Sequence, residues 1–360
     1  MKSDIDKHAY SETNIIYYPD EPSFLSEYHP DRLPNIRKSW SYSKKQLRAL
    51  NSHLNNAFHG ETKFSVVVAG SYGRMDANEK SDLDFFIVHD KRNGVDLENE
   101  EQKIAIVRKI AQELSISMPS SGGAFSSVID LSYLLSTAGS RDDTLNQLAR
   151  RLLLLMECRP VYNSSLFNNT IINGLLDHYM IRPSRDPDKD PVLLLNDLIH
   201  YFRAICVNVE FSFWNANEKE KQGLRNIKLR HSRVLIYAGL LLLILNVSTH
   251  KNEKENYLRK YIQSTPKSAC SPLERIYHVY KDNSDYNFSR IAESYDLFLS
   301  KLQDDNVRNE LGNLDYGDRY KSRYYTELRL NSQFLISELT RFVFANKHKW
   351  NPQIIEYLIF

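Results

Sequence analysis

The chain has 360 residues, is 42% apolar and 26% charged, and carries a formal net charge of +2. That length and balance fit a soluble globular protein of two ordinary domains, and they give no overall electrostatic case for a dedicated nucleic-acid binder. Cys158, Cys206 and Cys270 are odd in number and far apart. This argues against a disulfide framework or a zinc site and leads us to expect a reducing cytoplasm.

No apolar signal segment opens the sequence. The most hydrophobic run, 234–247, is shorter than the roughly 20 residues a membrane span needs. A core helix is expected there, with no membrane partner. Residues 1–38 are polar with scattered prolines (Pro19, Pro22, Pro30, Pro34) and are expected to form an irregular arm. Leu47, Leu50, Leu54 and Phe58 recur at helical spacing, which predicts a helix over 41–58. The β-branched run 64–69 predicts a buried strand ending in the turn Gly70-Ser71, and 83–88 predicts a second strand. Helical periodicity returns over 97–114. Residues 125–131 alternate loosely, as a third strand would. A helix over 143–158 and a short extended piece at 160–162 follow.

That order of elements predicts a small mixed α/β domain over 39–181. Three prolines and alternating charges mark a linker at 182–191. Beyond it, apolar residues at helical spacing over 193–214, 226–246, 253–262, 273–280, 289–302 and 319–345 predict an all-α bundle filling 192–360.

The chemistry concentrates in 66–88, VVVAGSYGRMDANEKSDLDFFIV. Gly70 lets the backbone turn tightly and approach a ligand. Ser71 and neighbouring amides suit phosphate oxygens. Asp82 and Asp84 alternate on a strand, so both carboxylates share one face. Two adjacent carboxylates repel, and a divalent cation relieves that repulsion. Mg²⁺ favours carboxylates completed by substrate phosphates. Either piece alone would more often be a turn or a solvated strand face. The two in this order, between buried runs, are far more specific.

This segment resembles the DNA polymerase β-type nucleotidyltransferase superfamily: a hydrophobic residue, Gly, Gly or Ser, a spacer, then Asp-x-Asp between hydrophobics. The form GSYGR is similar to bacterial branches such as the nitrogen-regulatory protein uridylyltransferases and the minimal nucleotidyltransferases of toxin–antitoxin pairs. The resemblance implies that Gly70 and Ser71 bind the triphosphate of an NTP, that Asp82 and Asp84 bind Mg²⁺ or Mn²⁺, and that two metals activate the acceptor hydroxyl and the leaving pyrophosphate. It also implies a third carboxylate on a later strand, for which Asp130 is the candidate base and metal ligand. The competing reading of Asp130 is a strand-end or helix-capping residue.

Arg74 suits either a phosphate or a surface salt bridge. Asp76 and Glu79 are expected to be solvated, and His89 to be a satisfied polar residue. Arg225, Lys228 and Ser232 share one face of a helix in the basic stretch 225–233. Lys228 is the candidate there to close over a triphosphate, beside the reading of a solvated face. Arg203, amid apolar residues, is expected as a paired core arginine or a phosphate ligand.

The expected reaction is transfer of an NMP to a hydroxyl on a protein, a tRNA end or a small molecule. Cyclic-dinucleotide synthases of antiphage defence share the Gly-Ser-Tyr opening. They usually place Gly-Thr or Thr where this chain has Met75-Asp76, which weakens that match. The rival of another class is a catalytically degenerate fold used to sense nucleotides or as a scaffold.

Overall fold

A computed structural model describes residues 16, 18–93, 97–119, 125–180, 189–212, 221–263, 270–315 and 317–359. Most of the expected linker, residues 182–188, lies outside them, as do residues 1–15 and 17 of the expected arm.

Four short strands form one mixed sheet in the order β3-β2-β1-β4. They are β1 (Phe64–Val68), β2 (Phe85–His89), β3 (Ser127–Asp130) and β4 (Arg159–Tyr162). β1 runs antiparallel to β2 and β4, and β2 runs parallel to β3. The five residues of β1 and of β2 are all buried, as expected of strands covered on both faces. One face packs on helix α1 (Pro34–Phe58). There Phe85, Ile87, Val66 and Val68 share a core with Leu47, Leu50 and Leu54, and Val128 packs against it. The helix begins seven residues before the expected start, because Pro34 is well placed in a first turn, where its missing N–H is not needed.

The turn after β1 is itself helical. Gly70–Arg74 forms the short helix α2, closed by Met75 in the left-handed region at φ 66°. Helices α3 (Glu100–Glu113), α4 (Leu131–Thr137) and α5 (Leu145–Met156) complete this part. Thr144 and Gln147 form a reciprocal capping box that starts α5, so a hydroxyl and an amide group fix its N-terminus.

The chain divides into two compact units. The first takes in the described residues of Met1–Pro22, Ser39–Lys189 and Glu255–Ser271, and the second those of Ser23–Lys38, Asp190–Lys254 and Pro272–Phe360. Within the first, Tyr18 is buried and its hydroxyl donates to the Pro160 carbonyl at 3.1 Å. Helix Lys254–Ile262 joins the same unit through Arg259, which pairs with Asp177. The apolar spacing of that helix gives no sign of which unit its face will cover.

The second unit is helical throughout its described residues. Gln222–Lys228, a π-helical turn Leu229–Arg233 and Val234–Val247 run on as one rod. Two helical stretches, Val192–Phe211 and Gln222–Val247, are long and apolar enough to cross a membrane by length and composition. The hydrophobic run at 234–247 is thus part of a helix of 26 residues, longer than the run itself indicates, and 72% of its most apolar window is buried inside the protein. Its π turn carries His231 into the core, stacked on Phe298 at 4.4 Å between ring centres. Burial pushes that imidazole down to about 4.

Candidate active site

The hydrogen-bond ladder between β1 and β2 continues one step past Val68 and Phe85, where the Ala69 amide donates to the Asp84 carbonyl at 2.8 Å. This step sets Gly70 directly beside Asp84. Gly70 has φ +61°, and a Cβ built on it would stand 2.5 Å from Asp84 Oδ2. The missing side chain therefore leaves the space that the carboxylate occupies, and the backbone conformation is one that L-residues rarely adopt. Ser71 is half-buried in the same turn.

Leu83 is fully buried in the core with Phe85, whereas Asp82 is exposed and Asp84 half-buried. Alternation along the strand puts the two carboxylates together on the face away from α1. Asp82 is held at its base by a bridge to Ser117, whose carbonyl accepts from the Leu83 amide at 2.8 Å. Tyr72 and Cys158 are buried alongside. Burial raises the Tyr72 phenol well above its ordinary range, with the Asp82 charge adding to the rise. Burial likewise raises the Cys158 thiol, with Glu157 and Asp84 adding. Gly70, Ser71, Asp82 and Asp84 thus meet at one end of β1 and β2, as the sequence pattern requires.

Asp130 does not join them, and its assignment as third metal ligand and base is corrected by the sheet register. β3 lies parallel to β2 with Asp130 opposite His89. His89 is five residues beyond Asp84, about 16 Å along a strand. The face is also wrong, since Asp130, two residues on from Val128, shares the face of Val128, which packs toward the α1 core. Its carboxylate accepts from the Ser132 amide at 3.0 Å, the Ser132 hydroxyl at 2.8 Å and the Lys91 amide at 3.2 Å. Asp130 caps α4. Asn caps about as well as Asp, and Ala costs about 1 kcal/mol. Asp130→Asn is therefore expected to keep near wild-type turnover, and Asp130→Ala to lower the melting temperature with turnover per folded molecule preserved. Single-turnover rates set beside thermal melts of both variants check this.

Residues 44–117 match the nucleotidyltransferase domain family. The matched segment runs from within α1 to Ser117, and so contains Gly70, Ser71, Arg74, Asp82 and Asp84 but not Asp130. No curated protein matches the chain. The likeness supports a transferase of nucleotides in general terms. It implies a divalent cation, and the residues present fit one. Among the described residues no three His, Cys, Asp or Glu side chains converge. The donor set is the two carboxylates, Asp82 and Asp84. Mg²⁺ is often held by one or two carboxylates and completed by substrate phosphates and water, so this set suits it when nucleotide is bound.

Arg74, within the matched segment, is already engaged. Its guanidinium forks onto Asp76 at 2.9 and 3.1 Å and reaches Glu157 Oε2 at 2.7 Å. Asp76 is 9% exposed and Glu157 2% exposed. The structure thus makes Arg74 a buried salt-bridge residue rather than a phosphate ligand, and Asp76 its partner rather than a solvated acid. Glu79 is exposed, as expected.

Lys228 and Arg225 lie in the second unit on an exposed helix face. Arg203 is exposed, not a paired core arginine. His89 is buried at the far end of β2, and burial holds its imidazole below the ordinary value.

One basic residue escaped sequence reasoning. Arg150 of α5 is half-buried and donates to Ser127 Oγ at 3.2 Å, while its buried Nε meets no acceptor. Burial lowers its pKa from the ordinary arginine value. In the sequence it is one of two adjacent arginines in a leucine-rich helix, and nothing in the spacing separates it from Arg151.

Proposed function

We propose that the protein transfers a nucleoside monophosphate from an NTP to an acceptor hydroxyl, with the balance NTP + R–OH giving R–O–NMP, pyrophosphate and a proton. The observation that carries this reading is the contact of Gly70 with the Asp84 carboxylate. It brings the Gly-Ser turn and the paired-acid strand to one point, inside the segment that matches the nucleotidyltransferase domain family. Asp82 and Asp84 would hold Mg²⁺ or Mn²⁺, which when bound supplies charge neutralisation at the transferring phosphoryl group. Gly70 admits the nucleotide's phosphates close to the backbone. Ser71 offers a hydroxyl donor beside them. The acceptor is a hydroxyl of a protein, a tRNA end or a small molecule.

Lack of a third carboxylate beside Asp84 among the described residues favours one second reading, a module that binds nucleotide without turning it over. A single assay separates the two. Purified protein, lysate, Mg²⁺ or Mn²⁺ and each α-labelled NTP in turn are expected to yield labelled acceptor and free pyrophosphate. Tight NTP binding with neither product from any of the four nucleotides would replace the transfer reading with the binding one.

A further inference from the structure

The residues of α5 treat two neighbouring arginines in opposite ways. Arg151 is fully buried and fully matched: its terminal nitrogens donate to Asp143 at 2.8 and 2.7 Å, and its Nε donates to the Tyr179 hydroxyl at 3.2 Å. Arg150 is half-buried yet meets no carboxylate among the described residues. It makes one hydrogen bond, to the Ser127 hydroxyl, and buries an Nε donor without an acceptor. A cation withdrawn from water without a counter-charge is costly. An anionic ligand would supply the missing charge and an acceptor for the Nε–H.

The register says where that ligand would sit. Ser127 is opposite Phe86, and the Ser126 amide donates to the Phe85 carbonyl at 2.8 Å. Ser127 and Phe86 alternate with Val128 and Ile87, which belong to the α1 side, so they share the face that carries Asp82 and Asp84. Arg150 therefore stands over the same end and the same face of the sheet as the paired acids. It stands on the opposite flank from the nucleotide turn, because β3 lies on one side of β2 and β1, with Gly70 and Ser71, on the other.

Phosphoryl transfer is in line, with the attacking and leaving oxygens on opposite sides of the phosphorus. If the leaving pyrophosphate lies on the Gly70–Ser71 side, the acceptor enters from the β3 side. Resting on the transfer reading above, we infer that the acceptor carries a phosphate group near its reactive hydroxyl, and that Arg150, oriented by Ser127, is the residue that binds it.

The test uses the full chain with Mg²⁺ and a non-hydrolysable NTP analogue, titrated with inorganic phosphate in a calorimeter. Phosphate is expected to bind the analogue-saturated wild type. Arg150→Gln is expected to weaken that binding about ten- to hundredfold, the scale of lost hydrogen bonds to a charged group. Analogue affinity should stay within about twofold, since the nucleotide turn is untouched. Arg150→Lys, which keeps the charge, should retain part of the phosphate affinity. Because a variant could misfold, the Nε–H resonance of Arg150 in the wild type gives a second measurement, and it is expected to shift when phosphate is added.

Phosphate that displaces the analogue, together with Arg150→Gln losing analogue affinity, would move Arg150 to the triphosphate and overturn the proposal. So would phosphate binding equal in both proteins, or an Nε–H signal that does not move. Failure of every analogue to bind the wild type, seen before phosphate is added, would instead overturn the transfer reading and this inference with it.

Discussion

Asp84→Asn is expected to lower turnover by on the order of 10³-fold, because cation charge stabilisation at a transferring phosphoryl group is worth several kcal/mol. The carboxylate stands where both halves of the motif meet, against Gly70 and one ladder step past Phe85. Asn has the same shape and keeps the neighbouring backbone bonds, so the fold should survive. A thermal melt of the variant checks that it does. Asp82→Asn should act in the same direction. Single-turnover rates across a Mg²⁺ titration are the measurement. Near wild-type rates at low Mg²⁺ in Asp84→Asn would show that this carboxylate holds no essential cation.

Much of the first unit was legible because its signals are local. The runs at 64–69 and 83–88 are apolar and β-branched, and they fold as β1 and β2 within two residues of the expected limits. The Gly-Ser turn and the paired acids sit in one continuous segment, so the chain brings them together with a single antiparallel pairing. Asp130 failed for the opposite reason. Its place relative to Asp84 depends on the register of a parallel pair, which the sequence between the strands does not fix. The pattern SSVID reads equally well with its acid at either end of the sheet. Arg150 was illegible for a related reason. What distinguishes it from Arg151 is an absence, a missing carboxylate, that appears only when Asp143 has been folded onto one arginine and not the other. The π turn at 229–233 was hidden as well, because its side chains keep a helical spacing on either side of the extra residue.

Arg74→Ala is expected to be among the most damaging single substitutions in the first unit, and to act through stability rather than nucleotide affinity. The Arg74 side chain is 10% exposed and pairs with two buried carboxylates, Asp76 and Glu157. It sits at the last residue of α2, directly before the left-handed Met75 that closes the Gly70–Ser71 turn. The Glu157 backbone is pressed against Gly73, where an added Cβ would lie 2.2 Å from its carbonyl oxygen, and the Glu157 side chain is fully buried. Removing one partner of a buried ion pair leaves the buried carboxylates less compensated, which costs up to about 3–5 kcal/mol. For a unit of this size that is a fall in melting temperature of roughly 10 °C. Replacing Arg74 together with one of its two carboxylates, in Arg74→Met with Glu157→Gln, should recover part of the loss, because one buried charge is then gone. A phosphate ligand would behave otherwise: Arg74→Ala would fold normally and lose NTP affinity, and the second substitution would restore nothing. Thermal melts of the two variants, read beside NTP titrations on the folded fraction, decide between a brace for the turn and a hand on the nucleotide.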